Sequence, residues 1–161
     1  MAQAGAKRAA ESATEMVQVV LPNDANPLGF ILGGTVMHLI DIAGAIACAR
    51  HTRSLLVTAA VDDLQFLHPI KVGDLIILNA HVTCTFTTSL EVEVEVHSEE
   101  TLTGRRLLTS RAFLTFVAIA SDGARVPVTP LLVETDEERR VCEEARARRA
   151  ARLLKKKGLE A

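Results

Sequence analysis

Asp41 is the only acidic residue in the apolar run GGTVMHLIDIAGAIACAR, and it falls seven residues beyond Gly34. If the run is a helix, that distance is two turns, which puts the carboxylate on roughly the same side as the helix entrance. A charge among Leu39, Ile40, Ile42 and Ala43 is costly to bury without a partner or a purpose. It reads either as a general base or nucleophile, or as a structurally paired acid. The Gly33-Gly34 pair at the entrance would present unpaired N–H groups with partial positive charge, able to hold a developing oxyanion, and glycine lets a reacting group approach the backbone closely. Its plainer reading is a tight loop-to-helix turn. Asn26 lies in the preceding loop, where an asparagine can also simply bond its own backbone. His38 could share a helix face with Asp41 and reads as a packing or supporting residue. No GxSxG element accompanies it, and Cys48 is ten residues further along, so a serine or cysteine triad is not indicated. His68, His81 and His97 read as structural or solvated.

The elements that must position these groups follow from periodicity. Thr14 to Val20 reads as a short strand ended by Leu21-Pro22. From Gly34 the helix is apolar on every face until Arg50, so it must be surrounded by protein. Four strand-like stretches follow: Leu56 to Phe66, Asp74 to Phe86, Ser89 to Glu99 and Arg105 to Ile119. In the third, Leu90, Val92, Val94 and Val96 alternate with Glu91, Glu93, Glu95 and His97, which predicts one buried and one wet face. Turns at KVGD, TTS and LTG predict an antiparallel meander. Glu134 to Lys157 is acidic first and basic last, as a helix dipole prefers, and reads as a solvated surface helix. One helix followed by one long antiparallel sheet is an α+β arrangement.

The 161 residues fit one domain: a frayed tail over residues 1–13, a main body over 14–133, and a C-terminal helix with its tail over 134–161. Hydrophobic residues make up 48% and charged residues 24%, a balance that predicts a soluble protein, with no membrane span and no secretory signal at the N-terminus. A cytoplasmic location is expected. Net charge is −2, which argues against a nucleic-acid binder; only RARRAARLLKKK could support such a role. Cys48, Cys84 and Cys142 lack ligand spacing and are odd in number, so they read as buried or half-exposed thiols, with neither disulfide nor metal site expected.

The series LPNDANPLGFILGGTVMHLIDIAGAIACARH, VTAAVDDLQFLHPIKVGD, TTSLEVEVEV and LTSRAFLTFVAI resembles the hotdog-fold acyl-CoA thioesterases, over roughly Thr14 to Leu154. The resemblance implies a curved antiparallel sheet wrapped around a long central helix, and sheets joined edge to edge in a homodimer that often assembles further into a hexamer. It implies hydrolysis of an acyl-CoA to free acid and CoA, with CoA bound as part of substrate and product and no separate cofactor. It implies that Asp41 is the catalytic carboxylate, helped by Gly33 and Gly34, and that Asn26 serves the site of the other subunit. Relatives often carry a second acid where this chain has Ile42. CoA contacts are implied at Ala59, Ala60 and Val61 and at Thr88, Ser89 and Leu90. Arg148 and Arg149, with Arg152 next, are the expected phosphate partners because a guanidinium fork matches phosphate oxygens. Two other readings use the same fold: a non-catalytic acyl-CoA sensor, and a dehydratase, for which His68 lacks the accompanying pattern.

Overall fold

A computed structural model describes residues 5–160. Five strands, β1 (Thr14–Val19), β2 (Leu55–Phe66), β3 (Leu75–Thr85), β4 (Ser89–Glu99) and β5 (Arg106–Ile119), form one antiparallel sheet in the order β1-β3-β4-β5-β2. Helix α1 (Gly33–Thr52) packs on one face of it, and α2 (Asp136–Glu160) crosses the other. This is the α+β hotdog arrangement. The predicted meander holds only for β3, β4 and β5. The segment containing KVGD is not a hairpin: it carries the chain from β2 at one edge to β3, which pairs with β1 near the other.

The core lies between α1 and the sheet. Val36, Leu39, Ile40, Ala43, Ala47 and Cys48 form the inward stripe of α1, and Leu90, Val92, Val94 and Val96 face it from β4. Gly44 permits this close approach, since a Cβ there would stand 3.1 Å from Val92 and 3.2 Å from Phe116. The expectation that α1 is enclosed on all sides is not met within one subunit. Met37 and Leu32 remain exposed beside it, as do Leu55, Val57 and Val61 on the edge strand β2.

Three further expectations are corrected. The β4 face predicted to be wet is covered by α2 at Glu91, and Glu91 and Glu93 are buried, while Glu95 and His97 stay part-exposed. Glu91 is tolerated there because Arg148 of α2 donates to both its carboxylate oxygens, at 2.8 and 3.0 Å, and Thr83 donates at 2.7 Å. Second, Cys84 on β3 and Cys142 on α2 are joined in a disulfide, while Cys48 is a buried free thiol. The bond spans 58 residues of chain, a loop whose closure is worth about 4 kcal/mol in the chain-entropy account. Ligand-spacing rules could not detect it because the pairing arises from α2 folding back over β3. Third, the segment expected as a tail is docked from Lys7 onward: Lys7 N–H donates to Pro130 O, Leu132 N–H donates to Lys7 O, and Arg8 pairs with Glu134. Residues 1–4 of that segment lie outside the described residues.

The ends of α2 follow from sequence chemistry. Thr135 and Glu138 cap each other's backbone, with Glu138 N–H donating to Thr135 Oγ1 at 3.1 Å and Thr135 N–H donating to Glu138 Oε2 at 3.0 Å. Further along, Arg152 pairs with Asp62 of β2 at 2.5 Å. Among the described residues no helix is long and apolar enough to cross a membrane.

Candidate active site

Gly33 and Gly34 occupy the first turn of α1, with Leu32 as its cap. Val36 N–H bonds back to Leu32 O at 3.1 Å, so the N–H groups of the two glycines precede the helix's own ladder. A Cβ added at Gly34 would meet nothing within 4 Å, and one at Gly33 would touch only the Phe66 ring at 3.5 Å. Neither glycine is demanded by packing inside the subunit. The space in front of them is open, as an incoming carbonyl would require.

Asp41 stands half-buried two turns into α1 and accepts a hydrogen bond from Thr58 Oγ1 of β2 at 2.7 Å. The bond engages Oδ1 and fixes the carboxylate orientation. Thr58 stands in VTAA immediately before Ala59. A threonine on an edge strand carries no signal of its own, and only the fold brings it to Asp41. Asp41, Thr58, Gly34 and His38 share a cavity of about 360 Å3 whose walls include Ile40 and Leu114. Val61 of the same strand lines it, whereas Ala59 falls at a register shift between Thr58 and Ala60 on the sheet edge.

Asn26 lies in a second cavity, of about 300 Å3, with Gly33, Phe30, Phe66 and His68. Its Oδ1 accepts from Leu28 N–H at 3.0 Å and Phe30 N–H at 3.2 Å. The loop-bonded reading therefore describes its carbonyl, and the group it can offer a ligand is the amide Nδ2 donor. The two cavities of one chain adjoin at the Gly33-Gly34 turn, with Asn26 on one side and Asp41 on the other.

Thr88, Ser89, Leu90 and Arg149 lie at the β3–β4 hairpin. Phe86 N–H donates to Ser89 O at 2.8 Å, closing the turn that carries Thr88. Leu90 is fully buried in the core, on a strand paired to β3 on one side and β5 on the other, so it offers a ligand no surface. In register, Leu90 pairs with Phe116 and Phe116 with Thr58, so this turn lies two strand spacings, about 10 Å, from Asp41's partner strand. Arg149 stacks over the Phe86 ring at 4.7 Å. Arg148 instead stacks on Phe113 at 3.7 Å and is spent on Glu91, which raises its pKa through hydrogen bonding. Arg152 is held by Asp62.

Other groups of catalytic type are accounted for structurally. Burial pushes the Cys48 thiol far above its ordinary range, so it is no thiolate at neutral pH. Buried His51 sits between Ser12 Oγ at 3.3 Å and Thr129 O at 3.1 Å, where burial lowers its pKa. A carbonyl only accepts, so the His51 Nε2 carries the proton and Nδ1 faces the serine. A further cavity of about 380 Å3 opens between α2 and the sheet, around Glu93 and Arg111, away from Asp41.

An acyl-CoA thioester hydrolase of Bacillus subtilis, itself uncharacterised, is 42% identical over 128 residues, covering 80% of this chain and 74% of that protein. The chain belongs to the thioesterase superfamily. The superfamily's sequence pattern matches residues 28–105, which contain Gly33, Asp41, Thr58 and the Thr88 turn. A hexameric acyl-CoA thioesterase solved without ligand superposes on this chain with a TM-score of 0.88 at 41% identity, covering 93% of this chain and 96% of that one. An acyl-CoA hydrolase from Staphylococcus aureus, solved with butyryl coenzyme A, coenzyme A and coenzyme A disulfide, gives a TM-score of 0.84 at 32% identity, covering 96% of each chain. Mutants of that enzyme have been solved with alanine in place of an aspartate, of an asparagine 15 positions before it, and of a threonine 17 positions after it. The human cytosolic acyl coenzyme A thioester hydrolase is 32% identical over 149 residues, and the thioesterase chain, matched over 91% of its own length, spans 39% of that longer protein.

Proposed function

We propose that the protein hydrolyses acyl-CoA thioesters to a carboxylic acid and CoA, in a site completed between two subunits. The observation that carries this reading is the Asp41 carboxylate, fixed by Thr58 at a largely apolar cavity beside the Gly33-Gly34 turn. The thioester carbonyl lies against the N–H groups of that turn, which stabilise the charge developing on its oxygen. Asp41 delivers the attacking oxygen, either its own or that of a water it deprotonates. The C–S bond then breaks and CoA leaves, taking up a proton; where Asp41's own oxygen attacked, water then hydrolyses the acyl–Asp41 anhydride, releasing the acid and restoring the carboxylate. Asn26, Asp41 and Thr58 have the same spacing as the asparagine, aspartate and threonine replaced in the S. aureus enzyme, which supports their grouping in one site.

Within one chain Asn26 and Asp41 line different cavities, so the Asn26 amide serves the Asp41 of a second copy. The exposed apolar residues Met37, Val57 and Val61 are the surface such a copy would cover, with the free β2 edge joining the two sheets. Dimers of this kind assemble further into a hexamer. The pantetheine arm runs along Ala59, Ala60 and Val61, and the turn at Thr88 and Ser89 receives the rest of CoA. Arg149 takes its phosphates, because Arg148 is already neutralised by Glu91. The location is cytoplasmic.

The test is turnover of an acyl-CoA panel of graded chain length, followed by a reagent for the released CoA thiol. Saturable CoA release supports the proposal. Tight acyl-CoA binding with no release across the panel would instead make the protein a sensor.

A further inference from the structure

The Cys84–Cys142 bond is the one covalent tie between the sheet and α2. It sits with Ala145 and Phe86 in a small apolar cluster separate from the main core. Phe86 carries Arg149 on its ring, and its N–H closes the turn that leads to Ser89. Disulfide, aromatic ring, guanidinium and turn therefore form one continuous stack at the end of the β3–β4 hairpin. Cys84 stands at a register shift of that hairpin, between Val82 and Cys84, where the ladder is locally interrupted.

We propose that Cys84–Cys142 is a redox site exchanged by small thiols, and that its state sets the affinity of this end of the protein for CoA. The inference rests on the reading that CoA docks at the Thr88 turn and Arg149. With the bond closed, α2 is pinned to β3, and Arg149 is held over Phe86 beside the turn. With it open, α2 keeps the Glu91–Arg148 and Asp62–Arg152 pairs and its side-chain packing but loses its covalent tie to β3, and the stack beneath the docking site loosens. Asp41 and Thr58 lie on the α1 side of the sheet and do not touch α2, so the chemical step is spared. Disulfides that form in reducing compartments are mostly catalytic or redox-sensing.

The reaction releases a suitable reagent, because CoA is itself a thiol. Its thiolate attacks Sγ of Cys142, which is 6% exposed where Cys84 is fully buried. The S–S bond breaks, and Cys84 leaves as a thiolate and takes up a proton. A second thiol attacks the small-molecule sulfur of the mixed disulfide and releases Cys142. Two small thiols are thereby oxidised to their disulfide and one protein disulfide is reduced.

The test uses the full chain, oxidised and then treated with dithiothreitol or CoA, beside Cys142→Ser and the double variant Cys84→Ser/Cys142→Ser. Thiol titration in denaturant should find one thiol before reduction and all three cysteines after it. Amide exchange in α2 should rise on reduction. The Kd for CoA and the KM for acyl-CoA should rise by at least about five-fold with kcat unchanged. Both variants should behave as the reduced protein whether or not reductant is present. Three free thiols in the air-equilibrated protein, or α2 exchange and CoA affinity unchanged by reduction, would overturn the proposal. If CoA binds both redox forms equally, this proposal alone falls. If α2 loosens but neither form binds CoA, the docking reading falls and takes the proposal with it.

Discussion

Thr58 Oγ1 lies 2.7 Å from Asp41 Oδ1, a contact that joins the free edge strand of the sheet to the central helix. The hydroxyl donates and the carboxylate accepts, so the pair fixes one oxygen of a carboxylate that lines the cavity. Thr58→Ala should lower kcat about 10- to 100-fold, the worth of one hydrogen bond to a charged group. Thr58→Ser, which keeps the donor, should recover most of the loss. Steady-state kinetics of both variants on one acyl-CoA checks this, and equal loss in both would remove the hydroxyl from the account.

Mixed subunits test the division of labour between Asn26 and Asp41. Asn26→Ala and Asp41→Ala homodimers should each be nearly inactive. After denaturation and refolding together at equal amounts, half the dimers pair unlike chains, each with one intact composite site. About a quarter of wild-type activity should return. No recovery in verified mixed dimers would place both residues in the same subunit's site.

Arg148 and Arg149 are neighbours with different work. Arg148→Ala leaves buried Glu91 without its cation and should cost about 3–5 kcal/mol in denaturant unfolding. Arg149→Ala should leave stability nearly unchanged while raising KM roughly three- to ten-fold through loss of a phosphate partner. Urea titration and kinetics on the two variants separate these roles.

His51 should make the fold sensitive to mild acid. Burial holds its folded-state pKa below the ordinary histidine range, so the unfolded chain takes the proton first. Its contribution is complete above about pH 6.5 and declines as the pH falls toward the depressed folded value. Unfolding free energy measured from pH 8 to pH 5 should fall in wild type, and less steeply in His51→Gln.

Much of this architecture was legible in the chain because it depends on local pattern. The alternation in LEVEVEVH marked a strand, and the lone charge in HLIDIAG singled out Asp41. What escaped depends on contacts between segments distant in sequence. Glu91 looked solvent-facing because alternation distinguishes two faces of a strand but cannot say that α2 covers the second. Cys84 and Cys142 gave no signal, since their pairing follows from the path of that same helix. Thr58 was hidden because its role exists only once β2 reaches the sheet edge beside α1. The four-strand meander failed at KVGD, where turn residues report a change of direction and not which strand comes next.

On the proposed reading, Asp41 carries the hydrolysis of an acyl-CoA thioester. Its most direct measurement is the rate of CoA release by Asp41→Ala, with amide exchange showing that the variant is folded. A fall in kcat of about 100-fold or more is expected, with acyl-CoA still bound. Undiminished turnover by the folded variant would contradict it.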